Sequence, residues 1–213
     1  SAIKPFPCTG VVPRKSIYLE LDVIKNEAVQ RGDDEFQNYL PRAVVGHDHN
    51  VEAGVNVSYT RVPGGDEPID VQPNIKWQFH SNEKLGTAAA VGGILFVPVT
   101  DQASTNMLGQ CYLVASKTLK GTLGPRFTGG AYVLINAKDN DRTNVGAIVG
   151  YEQPLSKKVS FIVDWSSGDN RLGYVSPGCY FATSSNSGLS IGYTIAHHSR
   201  GKNGLFAFYG IQF

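Results

Sequence analysis

The feature that most constrains the fold is the C-terminal stretch from Asn203 to Phe213, which reads NGLFAFYGIQF. Alternate residues counted back from the terminus are apolar: Leu205, Ala207, Tyr209, Ile211 and Phe213. The residues between them form a second set: Gly204, Phe206, Phe208, Gly210 and Gln212. A period of two is typical of a β-strand whose two faces meet different surroundings. We therefore predict a strand at the end of the chain and ask whether the pattern recurs.

The alternation recurs along most of the chain and predicts an all-β protein. Val51 to Arg61 is the clearest case, because its apolar residues alternate with Glu52, Asn56 and other polar or small residues. The predicted strands are 16–24, 35–46, 51–61, 69–79, 85–99, 107–117, 124–136, 144–153, 158–167, 171–182, 188–197 and 204–213. The second is interrupted by Pro41, and the fifth competes with a helix that Gly92 and Gly93 disfavour. The sequence thus indicates about twelve strands, with ten as the alternative.

Composition narrows the class of β protein. Charged residues make up 17% of the chain, against roughly 25% in soluble domains. Glycine is abundant (24 residues), as are Phe and Tyr (10 each). No apolar run approaches the ~18 residues of a transmembrane helix. A net charge of +1 gives no electrostatic reason to expect a nucleic-acid partner.

The C-terminal strand resembles the closing strand of bacterial outer-membrane β-barrel proteins, which ends in Phe and carries an assembly signal. The matching residues are Leu205, Tyr209, Ile211 and Phe213. The resemblance implies a single closed, antiparallel, up-and-down transmembrane β-barrel with an even number of strands. It also implies a mature chain in the bacterial outer membrane after signal-peptide removal. The implied partners are outer-membrane lipid and, during assembly, the barrel-insertion machinery.

The two strand faces fit lipid outside and a polar lumen inside. A soluble sandwich would alternate in the same way, but its polar face would be rich in Lys and Glu. Here that face holds mainly Gly, Ser, Thr, Asn and Gln. Aromatic residues near strand ends are predicted to form the interface girdles: Tyr59, Trp77, Phe79, Tyr151, Trp165 and Tyr193.

Charged residues of both signs are predicted to face the lumen. The candidates are Glu20, Asp22, Arg42, Glu52, Asp70, Lys76, Arg126, Glu152, Lys158 and Asp164, with Arg171 as a further possibility. Such charges can set the selectivity of a pore. The alternative is that they pair across the lumen and brace or partly occlude it. Barrels of eight strands have interiors filled by side chains, and barrels of sixteen strands have open channels. Twelve strands lie between these sizes, so barrel size does not decide between a pore and an occluded lumen.

Two segments complete the predicted organisation: an irregular N-terminal arm over residues 1–15 and the barrel over residues 16–213. The arm contains Pro5, Pro7 and Pro13, and we place it in the periplasm. It is the one segment predicted to be long enough to plug the lumen. None of the links between strands is predicted to be long enough to fold inward as a substantial plug, and residues 168–170 have turn composition.

No catalytic or metal-binding constellation is predicted, and no cofactor. The histidines, at positions 47, 49, 80, 197 and 198, fall in predicted turns or at strand ends. Cys111 and Cys179 lie in strands that are not neighbours, whereas Cys8, on the arm, is the thiol free to bond elsewhere.

The function predicted first is a small passive, porin-like channel for ions or small polar solutes. The second is a non-conducting structural or interaction barrel of the envelope, and a membrane enzyme ranks third. An oligomeric or envelope-protein partner is left open.

Overall fold

A computed structural model describes residues 8–26, 36–62, 64–65, 67–100, 107–137, 143–197 and 203–213. These residues contain twelve β-strands and one short 3-10 turn, Asp48–Asn50. The strands are β1 (Ile17–Asn26), β2 (Phe36–Gly46), β3 (Val51–Arg61), β4 (Ile69–Asn82), β5 (Thr87–Pro98), β6 (Leu108–Thr118), β7 (Arg126–Ile135), β8 (Val145–Pro154), β9 (Val159–Ser166), β10 (Tyr174–Ala182), β11 (Ser187–Ala196) and β12 (Gly204–Gln212). Within these ranges no helix is long and apolar enough to cross a membrane.

The strands form one closed barrel, which confirms the predicted fold class. Each strand pairs antiparallel with its neighbours in sequence, and β12 closes the barrel by pairing with β1. At this seam Leu19 lies opposite Ile211, and Phe213 exchanges two backbone hydrogen bonds with Ile17. A closed barrel leaves no unpaired sheet edge. We call the end at which β1 begins and β12 ends the near mouth, and the opposite end the far mouth.

Three prolines lie away from the ends of their strands, and the barrel accommodates each by interrupting one of its two ladders. Pro41 keeps its register with Leu21 of β1, while the β2–β3 ladder has a gap at Leu40 and Pro41. Pro73 and Pro177 produce similar gaps in the β4–β5 and β10–β11 ladders. Since proline has no N–H to donate, it is tolerated where one neighbouring ladder is broken. The second predicted strand is therefore continuous despite its proline.

Two strands differ from their predicted bounds by three residues, and the others differ by two at most. Strand β4 continues three residues past the predicted end at Phe79, to Asn82, and has an irregularity between Trp77 and His80. An extra residue there displaces the alternation, which a strict period of two cannot anticipate. Strand β10 begins at Tyr174 and not at Arg171, because residues 167–173 form an inward-folded link described below.

The inner face of the barrel carries two apolar clusters. The larger cluster lies on β5 to β8 and consists of Ala90, Leu108, Tyr112, Val114, Tyr132, Leu134 and Ile148. The smaller cluster contains Ile162, Phe206 and Phe208, and the two Phe rings stack with their centroids 4.6 Å apart. All of these side chains are buried although they face the lumen. The interior is therefore largely filled by side chains at these levels.

Close approach of rings to the inner wall requires glycine. A Cβ at Gly146 would lie 2.4 Å from the ring of Tyr132, and one at Gly210 would lie 2.0 Å from the hydroxyl of Tyr18. Neither position could carry a side chain unless the aromatic residue moved. Glycine thus lets the large tyrosine rings lie against the wall.

Candidate functional site

The candidate site is the lumen, where the strand register gathers most of the predicted charges. Residues Glu20, Asp22, Arg42, Glu52, Asp70, Lys76, Arg126, Glu152 and Asp164 occupy positions on the inner face of their strands. Lys158 does not join them, since it lies in the β8–β9 turn with an exposed side chain. Arg171 also has an exposed side chain, in the link that precedes β10. Both fall just beyond the ends of the strands in which the period-two pattern placed them.

One ion cluster joins β1 and β2. Arg42 lies 2.9 Å from Glu20 and 3.5 Å from Asp22, measured between side-chain N and O atoms. Its Nε donates to Asn56 Oδ1 on β3, and the Tyr18 hydroxyl donates to the Glu20 carboxylate. Asp22 is 1% exposed. This cluster therefore holds two buried carboxylates around one guanidinium.

A second ion pair joins β3 and β4. Lys76 Nζ lies 2.7 Å from Glu52 Oε1, and both side chains are buried. The other carboxylate oxygen, Oε2, accepts a 2.6 Å hydrogen bond from the backbone N–H of Val12. Lys76 Nζ also donates to Cys8 Sγ at 3.6 Å. The pair thus connects the barrel wall to the N-terminal arm.

The arm enters the near mouth and docks against the inner wall. Thr9 is fully buried, and its backbone carbonyl accepts a 2.7 Å hydrogen bond from Gln78 Nε2 of β4. Its Oγ1 lies 2.7 Å from Ser116 Oγ of β6 and accepts a hydrogen bond from Arg126 of β7. Residues 8–12 therefore contact the wall at β3, β4, β6 and β7. The sequence predicted that the arm could plug the lumen but placed it in the periplasm; its described part lies inside the mouth.

One link folds inward at the far mouth, where the sequence predicts only a short turn. In the β9–β10 link, Asn170 is 1% exposed, and its Nδ2 donates to the Tyr132 hydroxyl (2.8 Å) and the Thr143 carbonyl (2.9 Å). Its Oδ1 accepts from the Leu172 N–H at 2.8 Å, and Leu172 packs against the larger apolar cluster. The sequence analysis treated residues 168–170 as an ordinary turn because Gly-Asp-Asn has turn composition. Nothing local distinguishes an Asn that turns outward from one that is buried.

Three lumen carboxylates lie outside these ion pairs. Among the described residues, Glu152 and Asp164 have no basic side chain within 4 Å, whereas Asp70, at the far mouth, interacts electrostatically with Arg171. Glu152 faces Arg126 across the β7–β8 ladder. The Arg126 guanidinium, however, donates to Thr9 of the arm and to Ser116 of β6. Glu152 and Asp164 occupy diagonal positions on neighbouring strands. This part of the wall is therefore acidic.

The outer face of the barrel is apolar and exposed. Leu21, Ile75, Leu113, Val149 and Leu205 are each about half exposed on the outside of five different strands. Aromatic side chains lie at both ends: Trp77, Phe79 and Tyr151 near the near mouth, and Tyr59, Trp165 and Tyr193 near the far mouth. An apolar band with an aromatic girdle at each edge is the surface of a membrane-spanning barrel.

The predicted assembly-signal residues lie on this outer face. Leu205, Tyr209 and Phe213 are exposed, and Ile211 is half-buried between them on the same face of β12.

The histidines and cysteines, the remaining candidates for a metal or catalytic site, do not lie together. In the described parts of the chain, no three His, Cys, Asp or Glu side chains form a metal-binding group. His47 and His49 lie at the β2–β3 turn, His80 bonds Thr87 Oγ1, and His197 contacts Trp165; His198 lies outside the described residues. Cys8, Cys111 and Cys179 form no disulfide bond.

Comparison with solved structures places this architecture among outer-membrane barrels. The COG4313 outer membrane channel from Pseudomonas putida F1 superposes with a TM-score of 0.68 at 10% identity, covering 96% of this chain and 98% of that one. A KdgM porin in complex with disordered oligogalacturonate gives a TM-score of 0.56 at 11% identity, covering 93% and 98%. At these identities the likeness is one of fold. No protein-family model matches the sequence, and no curated protein matches it significantly.

Proposed function

We propose that this chain is a narrow passive channel of a bacterial outer membrane that conducts small ions. The observation that carries the proposal is a closed barrel whose outside is apolar and whose inner face carries charged and polar groups on most strands. Charged groups in an apolar setting are unfavourable unless water, partners or permeating ions compensate them. Two barrels of this fold carry the names channel and porin, which supports the same assignment.

The composition of the lining favours cations. The inward-facing carboxylates are Glu20, Asp22, Glu52, Asp70, Glu152 and Asp164. The inward-facing basic side chains are Arg42, Lys76 and Arg126. Carboxylates thus outnumber basic groups, and rings or patches of Asp and Glu favour cations in pores. Ions moving along the Glu152–Asp164 wall would meet the carboxylates that no described basic group neutralises.

Planar-bilayer recording of the purified protein tests this proposal. We expect discrete conductance steps in potassium chloride and, under a salt gradient, a reversal potential on the cation-selective side. The double variant Glu152→Gln/Asp164→Asn should shift that potential toward zero. The matched control, Val149→Leu on the outer face, should leave it unchanged. A folded protein that never conducts would defeat the channel proposal, whereas conduction without cation preference would defeat only the selectivity.

A non-conducting structural barrel is the second candidate, and one observation favours it. The Arg42 cluster, the Glu52–Lys76 pair and the buried Asn170 link all fill or brace the lumen. If these contacts are permanent, the barrel holds the envelope or a partner without passing solute. Absence of conductance together with a stable partner in mild detergent extracts would establish this alternative.

The apolar outer face of the barrel also supports a proposed location in the cell. We propose that the mature chain lies in outer-membrane lipid after a signal peptide is removed. The barrel-insertion machinery would read the C-terminal residues Leu205, Tyr209, Ile211 and Phe213 during assembly. A substitution of Phe213 that lowers the amount inserted, with the purified barrel unchanged in stability, is the expected result.

A further inference from the structure

The docked arm differs from the rest of the barrel in how it is held. In its described part, residues 8–15, it forms no strand ladder, and it is held to the wall by a few hydrogen bonds and by one buried apolar residue, Val12. Its junction with β1 is a tight turn in which the Ser16 N–H donates to the Pro13 carbonyl at 3.1 Å. Lys15 adopts a positive φ of 60° there. The arm is therefore a short irregular segment. It is joined to β1 by a turn, and its contacts with the wall can break one at a time.

The groups of the barrel wall that contact the arm can be hydrated when the arm leaves. The groups that bind the arm are polar or charged: Glu52, Lys76, Gln78, Ser116 and Arg126. Water can replace the arm at each of them, because all are able to form hydrogen bonds. Undocking would also free Arg126 from Thr9, opposite Glu152. An apolar wall, in contrast, would be exposed at a large cost when the arm left.

We propose that residues 8–13 are a gate: the docked arm is the closed state of the channel, and ions pass when it swings out of the near mouth about the turn at residues 13–16. This inference rests on the proposed channel function and adds how that channel is regulated. In the closed state the arm would be bound to the wall. In the open state water would cover the wall, and Arg126 would face Glu152. Any agent that binds the arm outside the barrel would hold the channel open.

A reversible tether tests the gate. Thr9 Oγ1 and Ser116 Oγ lie 2.7 Å apart, so cysteines at both positions can form a disulfide with little movement. The variant Thr9→Cys/Ser116→Cys is made in a background of Cys8→Ser, Cys111→Ala and Cys179→Ala, which removes the native thiols. The Glu52–Lys76 pair stays intact in this design. The control carries Ser116→Cys alone in the same background.

The expected result is loss of conductance on oxidation and its return on reduction, with the control insensitive to both. At least a tenfold fall in conducting events, with the disulfide verified by mass spectrometry, is expected. Unchanged conductance of the fully cross-linked protein would overturn the gate and leave the channel function standing. No disulfide in the folded barrel would contradict the docked position. A protein that conducts neither oxidised nor reduced would overturn the channel function, and the gate with it.

A second variant perturbs the gate in the opposite direction. Thr9→Ala removes the contacts with Ser116 and Arg126 and leaves the barrel wall unchanged. Two hydrogen bonds of ordinary strength correspond to about tenfold in the docking equilibrium, so the open probability should rise by about that factor. Leu123→Ala, an exposed change in the β6–β7 link, serves as the control. An unchanged open probability in Thr9→Ala would contradict the gate.

Discussion

The Glu52–Lys76 pair gives a quantitative test of how dry the lumen is. The nitrogen–oxygen distance is 2.7 Å, and the side chains are 8% and 6% exposed. At this distance two unit charges attract by about 6 kcal/mol at an effective dielectric of 20 and by about 1.5 kcal/mol in bulk water. Lys76→Met keeps a side chain of similar length but leaves the Glu52 carboxylate with the Val12 N–H in place of a full countercharge. We expect the free energy of unfolding to fall by about 3–5 kcal/mol.

The assay is denaturant unfolding of the protein in phospholipid vesicles, followed by the fluorescence of its two tryptophans. The double variant Glu52→Gln/Lys76→Met should recover most of the lost stability, because no isolated charge remains buried. Arg14→Met is the matched control, since the Arg14–Asp48 pair at the near mouth is more than half exposed. Its loss should cost no more than about 1 kcal/mol. A Lys76→Met effect as small as that of Arg14→Met would refute the argument and indicate a hydrated pair.

Two further substitutions test the far mouth and the outer face. Asn170→Ala removes the hydrogen bonds to Tyr132 and Thr143, and we expect a loss of about 2–3 kcal/mol in vesicle unfolding. A loss below 0.5 kcal/mol, the size expected of a neutral surface change, would contradict the inward-folded link. Leu113→Arg places a charge midway along the outside of β6 and should cost about 2–4 kcal/mol in lipid. Leu123→Arg, in an exposed link, should cost close to nothing; equal costs at the two positions would contradict a lipid-facing wall.

The strands and the inner face were predictable because they depend on local alternation. A period of two assigns every residue of a strand to a side, so Glu52 and Lys76 could be placed in the lumen without knowledge of their partners. The same rule fails just past the ends of strands, which is why Lys158 was placed in the lumen and is exposed in a turn.

The contacts that fill the mouths were not predictable from local pattern. Thr9 meets Ser116 across 107 positions of sequence, and Asn170 meets Tyr132 across 38. Both are small polar residues in segments of turn composition, and such residues are equally common in turns exposed to solvent. Which of them is buried depends on the shape of the closed barrel. The lumen lining could therefore be predicted, and so could the arm as the one segment able to plug the lumen. The contacts of the arm and the inward fold of the β9–β10 link could not.

The central claim, that this chain is a closed barrel embedded in a membrane, is tested most directly by heat modifiability. The protein is extracted in mild detergent and run on a denaturing gel with and without boiling. We predict that the unboiled barrel stays folded, because its strands are paired all the way round, and that it migrates differently from the boiled chain. Identical migration, together with recovery of the protein in a wash without detergent, would contradict the claim.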